Sequence, residues 1–391
     1  MSEKLVKQTI GNIFNQLADT LISGEYGQRP RVAVTAAGSE HGEAEIFKAA
    51  ASAAKFGIEP TVIGTEAYEG VNTERVVSED DAHKRMEELL DSGKVDAAVT
   101  MHYPFPIGVS TVGKIVTPGK GREMFIATTT GTSSTDKVEG MVKNAVYGII
   151  TAKACGIKNP TVGILNVDGA RQTEIALNKL KNNGYDIIFA ESGRADGGAV
   201  MRGNDLLTGS ADVMVMDSLT GNLMIKIFSS YTTGGSYESI GYGYGPGIGE
   251  NFNKMILIIS RASGAPLIEG AIRYAGDLIK GNCMQIAKDE FDKAKKAGLE
   301  SILSEIKADK KSHAEDFEVA APQKEVVTSQ ISGIEIMDLE DAVKLLWKNG
   351  IYAESGMGCT GPIILVSEAK TGDALKILAD NSFIAKEQTD C

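Results

Sequence analysis

Arg31-Val32-Ala33-Val34-Thr35, then Ala36-Ala37-Gly38-Ser39-Glu40-His41-Gly42, an alanine-rich run over 43–56, and Thr61-Val62-Ile63-Gly64 read in turn as strand, turn, helix and strand. This is a βαβ unit. Its parallel crossover predicts a helix-flanked sheet, with the loops at the carboxyl ends of the strands forming a crevice. The turn lacks the G-x-G-x-x-G spacing of a dinucleotide fingerprint. Apolar strands alternate with helical stretches through 95–100, 124–128, 161–167 and 211–217. The class is therefore α/β, a helix-flanked and mostly parallel sheet in two lobes with a crevice. Ahead of it, Leu5, Ile10, Ile13, Phe14, Leu17 and Leu21 recur at helical spacing, so residues 1–30 are expected to hold an amphipathic helix packed on the body. The main domain covers 31–310. A polar stretch with Pro322 marks its end, and 326–391 read as a small C-terminal α/β module. That module holds a helix over 339–348, a glycine-rich segment, the apolar strand Ile363-Ile364-Leu365-Val366 and a helix around 374–378.

Composition narrows the function. The 391 residues, 42% of them hydrophobic, suffice for two or three domains with a large core. A net charge of −12 argues against nucleic acid as the main ligand. No apolar signal region follows Met1-Ser2-Glu3-Lys4 and no apolar run approaches spanning length, so a cytoplasmic protein without a membrane partner is expected. Cys155, Cys283, Cys359 and Cys391 lie far apart, form no C-x-x-C pair and are accompanied by only four histidines. They read as reduced thiols, and no metal site is expected.

Five segments carry candidate chemistry. Ser355-Gly356-Met357-Gly358-Cys359-Thr360-Gly361-Pro362 sets one cysteine among glycines that can take positive φ and turn N–H groups toward a developing oxyanion, which suits a thioester. A tight turn around an inert cysteine explains the same letters. Thr128-Thr129-Thr130-Gly131-Thr132-Ser133-Ser134-Thr135-Asp136 ends in N-cap residues, and either holds phosphate at a helix N-terminus or merely caps the helix. Asp217-Ser218-Leu219-Thr220-Gly221-Asn222 reads as a turn before a helix starting near Leu223; it offers donors to a ligand, or is an ordinary βα loop. The glycine and tyrosine stretch over 234–249 reads as a lid over an acyl site or as a long connection. Ser260-Arg261 ends the strand over 255–259, where an arginine either binds phosphate in the crevice or makes a solvent-facing ion pair.

Gly203-Asn204-Asp205-Leu206-Leu207, the Asp217 to Asn222 segment and Ser260-Arg261 together resemble the phosphate acyltransferases of fatty acid and phospholipid synthesis and, more distantly, phosphate acetyltransferases, over roughly residues 31–280. With Gly356-Met357-Gly358-Cys359-Thr360-Gly361-Pro362, the chain resembles the acyl-transferring (alpha) subunits of component C of the glycine reductase complex. The resemblance implies an enzyme whose Cys359 holds an acetyl thioester and passes it to phosphate, giving acetyl phosphate. No bound cofactor is implied, and inorganic phosphate is the co-substrate. Gly358, Thr360 and Gly361 would line the oxyanion, while Asp217, Gly221, Asn222, Ser260 and Arg261 would bind phosphate or the acyl group. Ala262 departs from the glycine that usually follows Ser-Arg, and no general base is assigned. The implied partners are a second (beta) subunit of component C and a small selenoprotein carrying the carboxymethyl group, in an oligomeric assembly. Two other readings stand beside this one. In the first, the chain transfers acyl groups directly from a soluble acyl-carrier thioester and Cys359 is structural. In the second, it is a noncatalytic subunit that binds a partner through its C-terminal module. The choice among glycine, sarcosine and betaine is left to an upstream protein.

Overall fold

The structure, a computed structural model, describes residues 29–193, 197–314, 320–334, 338–358, 361–381 and 383–384, together with Gly11, Phe14, Leu17, Ala18 and Leu21. In chain order the elements are β1 (Arg31–Thr35), α1 (Glu43–Ala53), β2 (Glu59–Gly64), β3 (Asn72–Arg75), α2 (Glu79–Asp91), β4 (Ala97–Thr100), β5 (Val109–Val116), β6 (Glu123–Thr132) and α3 (Lys137–Ala154). There follow β7 (Thr161–Leu165), α4 (Ala170–Asn182), β8 (Ile188–Phe189), β9 (Val200–Met201), α5 (Gly203–Thr208), β10 (Val213–Val215) and α6 (Ser218–Ser230). Next come β11 (Gly245–Ile248), β12 (Ile256–Ile258), α7 (Ala265–Lys280), α8 (Cys283–Lys296) and α9 (Leu299–Ala314). The chain closes with β13 (Ser329–Ser332), α10 (Leu339–Lys348), β14 (Ala353–Gly358), β15 (Gly361–Val366) and α11 (Thr371–Asp380).

β1 reads as an unbroken apolar run because both of its faces are covered. Val32 and Val34 join Ile46, Phe47 and Ala50 of α1 in one core, while Ala33 joins Met86 and Leu89 of α2 in the other. That is the period of two expected of a strand buried on both sides. The strand order is β3-β2-β1-β4-β12-β11-β5-β6-β10-β7-β8, with β9 also pairing β7. The pairings from β3 to β12 are parallel, as are those from β6 to β8. Between these lobes, β12/β11, β11/β5 and β5/β6 are all antiparallel.

Three successive reversals leave the lobes pointing in opposite directions. The carboxyl ends of β1, β4 and β12 open on one edge of the sheet, and those of β6, β10 and β7 on the other. This corrects the expectation that the strands before Asp217 and Ser260 share a crevice at their carboxyl ends. The cause lies in the glycine and tyrosine stretch, whose second half is neither lid nor free connection but β11, buried at the centre of the sheet. Gly245 has φ 84°, and a Cβ there would fall 1.7 Å from the Val112 carbonyl oxygen, so glycine is what lets the backbone lie against β5.

The C-terminal segment builds its own antiparallel sheet, β13-β15-β14. Ile331, Leu346, Ile364, Val366 and Leu378 form a core separate from the main two. Near the N-terminus, Gly11, Phe14, Leu17, Ala18 and Leu21 are helical, but Phe14 and Leu21 are 67% and 86% exposed. At these positions the expected packing on the body is not made. Among the described residues no helix is long and apolar enough to cross a membrane.

Candidate active site

After β12 the chain turns tightly. Ser260 N–H donates to Ser263 Oγ at 3.0 Å, and Ala262 N–H donates to Ser260 Oγ at 3.1 Å. Arg261 leaves this turn along the carboxyl edge of the first lobe. One guanidinium nitrogen donates to the Gly38 carbonyl at 3.0 Å and to Glu79 at 3.1 Å, and the other donates to Glu79 Oε1 at 2.5 Å. The ion-pair alternative is thus realised, with the arginine side chain 44% exposed. His41 Nε2 stands 3.3 Å from the Ala262 carbonyl. His83 Nε2 stands 2.8 Å from the His102 carbonyl and 3.2 Å from Thr100 Oγ1, and Thr100 in turn bonds Thr35 at 2.9 Å. The His41 and His83 imidazoles and the His102 carbonyl therefore stand on this edge.

Behind the turn lies a polar cluster shut off from water. Glu238, 4% exposed, accepts from the Tyr244 phenol at 2.8 Å and from Ser263 Oγ at 3.1 Å. Burial first, and then Glu238, push the Tyr244 phenol far above its ordinary range, so it remains a donor. Lys226 Nζ lies 3.6 Å from Glu238 and 5.4 Å from the centre of the Tyr244 ring. It reaches this edge from the far end of α6, the end whose Ser229 carbonyl accepts from Ser239 N–H at 2.7 Å. Sequence reasoning missed Lys226 and Glu238. For Lys226 a signal existed: it is the one charged residue of α6, a helical turn beyond Asn222.

The Asp217 segment is built differently from its sequence reading. α6 begins at Ser218, not near Leu223, because Asp217 caps it. One carboxylate oxygen of Asp217 accepts from Leu219 N–H and Thr220 N–H at 3.1 Å, and the other accepts from Thr220 Oγ1 at 2.6 Å. Gly221 and Asn222 then lie in the first turn and seat the helix on β6. A Cβ on Gly221 would fall 1.7 Å from the Thr128 carbonyl oxygen, and Asn222 Nδ2 donates to the Thr129 carbonyl at 3.0 Å. Gly221→Ala is accordingly expected to lower stability by about 3 kcal/mol, since the methyl must push α6 off β6. A melting temperature equal to the parent's would overturn this packing account.

Asp217 and Ser218 also line a cavity of about 190 Å³ with Thr132, Ser133, Ser134 and Lys137. The hydroxyl-rich run and the Asp217 segment, singled out separately in the sequence, meet here at the N-termini of α3 and α6. Several of these groups already have partners: Asp136 caps Glu139 N–H at 2.9 Å, and Ser133 Oγ bonds Gly140 and Asn144 at 3.1 and 2.8 Å. α6 has 13 residues. At 1.5 Å per residue it separates this cavity from the Ser260–Arg261 turn by about 20 Å. The sequence-predicted phosphate residues thus fall into two groups at opposite ends of one helix.

In the C-terminal module, β14 and β15 pair from Ala353↔Val366 to Gly358↔Gly361. Gly356, opposite Ile363, is extended in place of the positive φ expected for it, because a ladder and not an open loop holds the segment. Gly358 and Gly361 end the two strands. Cys359 and Thr360 between them lie outside the described residues, as does Cys391. Gln172 at the start of α4 donates to Asp338 before α10, tying the module to the body on the edge where β7 ends. Burial pushes the thiols of Cys155 and Cys283 up to about 12, which leaves both inert at neutral pH.

The family model described as fatty acid synthesis protein matches residues 30–365, and the chain belongs to that family. It is 59% identical over 382 residues, 97% of this chain and 99% of the relative, to the glycine/sarcosine/betaine reductase complex component C subunit alpha of Peptoclostridium acidaminophilum, and it belongs to the family of those alpha subunits. The phosphate acyltransferase of Enterococcus faecalis is 30% identical over 201 residues, 51% of this chain and 51% of its own length. Among solved structures, a branched-chain phosphotransacylase from Enterococcus faecalis V583 covers 64% of this chain and 99% of its own, at TM-score 0.46 and 14% identity.

Proposed function

We propose that the chain is an acyltransferase subunit of a glycine, sarcosine or betaine reductase complex, in which Cys359 carries an acetyl thioester and transfers it to inorganic phosphate to give acetyl phosphate. The observation that supports this best is the near full-length likeness to a component C alpha subunit. The Ser260–Arg261 edge supplies what the chemistry asks for: the cations Arg261 and Lys226, the Ser260 hydroxyl and the His41 imidazole at the carboxyl ends of parallel strands. In the step proposed, a phosphate oxygen attacks the thioester carbon, the C–S bond breaks and the thiolate of Cys359 leaves. Phosphate dianion brings its own lone pair and thiolate departs readily, so positioning and charge neutralisation matter more than a strong base. Arg261 would trade Glu79 for phosphate oxygens in a bidentate contact. The beta subunit of component C and the selenoprotein bearing the carboxymethyl group belong to this proposal, as does the absence of a bound cofactor.

A second reading places phosphate in the cavity lined by Ser133, Ser134 and Lys137. It is favoured by the two helix N-termini that meet there and by the Gln172–Asp338 tie, which holds the module on that edge. Both readings require the acyl-enzyme. Mass spectrometry of the full chain after incubation with acetyl phosphate tests it: an acetyl adduct on the peptide containing Cys359 is expected, and an adduct-free chain that still turns over would return the function to direct transfer from a soluble thioester.

A further inference from the structure

We propose that Glu238 is a positioning residue for the Ser260–Arg261 turn, an inference that rests on reading this edge as the phosphate site. A buried carboxylate persists only where donors hold it, and every donor on Glu238 belongs to this edge. Its side chain takes Ser263 Oγ and the Tyr244 phenol, with Lys226 beside it. Its backbone clamps the same turn: Glu238 N–H donates to the Ala262 carbonyl at 3.0 Å, and Gly264 N–H donates to the Glu238 carbonyl at 2.8 Å. From the carboxylate a short route reaches Ser260 through Ser263 Oγ, which donates to Glu238 and accepts the Ser260 N–H.

Glu238 itself is walled off from any bound anion. Its carboxylate is held by Tyr244, Ser263 and Lys226, and it acts by fixing where the Ser260 hydroxyl and the Arg261 side chain leave the backbone. Lys226, 51% exposed, arrives from the opposite lobe, so the same carboxylate also registers α6 against the turn. A turn that wanders by an ångström presents its donors to the wrong place, and such errors are costly to reactivity.

The test uses arsenate-dependent breakdown of acetyl phosphate by the full chain, with arsenate varied. Glu238→Gln and Tyr244→Phe are each expected to raise the arsenate KM about tenfold while kcat changes less than about threefold. A purely structural defect reduces the active fraction and so lowers kcat with KM unchanged, which would overturn the proposal. Tyr244→Phe removes one oxygen from a buried ring and carries the test where the Gln variant does not fold. Arg261→Ala separates the two levels. An unchanged KM in that variant would sink the reading of the edge, and Glu238 with it. A raised KM there, with parental KM in both Glu238→Gln and Tyr244→Phe, would overturn the positioning role alone.

Discussion

Cys359→Ser is expected to lose arsenate-dependent breakdown of acetyl phosphate by a factor of about 10³ or more, and to form no acetyl-enzyme that turns over. Arsenate matches phosphate in shape and charge but yields an acyl arsenate that hydrolyses, so each round consumes acetyl phosphate through the acyl-enzyme. Serine fails at both halves of the cycle. Its hydroxyl is a poor nucleophile at neutral pH, and an alkoxide leaves an ester far less readily than a thiolate leaves a thioester. No buried thiol can stand in, because Cys155 and Cys283 are held protonated by burial. The substitution is nearly isosteric, so melting temperature should match the parent's and provides the control for folding. Full arsenolysis by the serine variant would refute the acyl-enzyme.

The α/β class was legible because β1, β2 and β4 are covered on both faces and so are written as apolar runs with helices between them. The reversal of the sheet was not. β11 reads Gly245-Pro246-Gly247-Ile248, a composition poor in strand formers, and it is a strand because its backbone fits between β12 and β5. Gly221 and Asn222 misled for a related reason. They look like turn residues, yet in α6 they permit a close approach and a hydrogen bond to β6, neither of which has a local signature. Asp217 could have been read as an N-cap from its place before the apolar helix. Glu238 had no readable signal, since its partner Ser263 lies 25 residues away and only the folded chain brings them together.

Arg261→Ala is the substitution that decides where phosphate binds. A charge-assisted hydrogen bond is worth about 1.5–3 kcal/mol, so removing the guanidinium should raise the phosphate or arsenate KM about 10- to 100-fold. The effect should exceed simple deletion, because Glu79 is left without Arg261 and facing the anion. Glu79→Gln is expected to move KM the other way, since it removes the group that competes for the same guanidinium. A fall in KM with Glu79→Gln and a rise with Arg261→Ala would together establish exchange of carboxylate for phosphate. The geometry makes the alternative concrete. The attacking oxygen must come within about 3–3.5 Å of the thioester carbon, while the known tie of the module, Gln172 to Asp338, lies on the edge opposite Arg261. If phosphate binds at Arg261, the hairpin carrying Cys359 must reach across to that edge during the cycle. A crosslink that locks position 172 to position 338 should then stop both turnover and acetylation of Cys359 by acetyl phosphate, since attack of the thiolate on acetyl phosphate and attack of phosphate on the thioester share one transition state. If Arg261→Ala and Glu79→Gln both keep the parental KM while Lys137→Ala raises it, phosphate lies instead between the N-termini of α3 and α6, and the same crosslink should leave turnover intact.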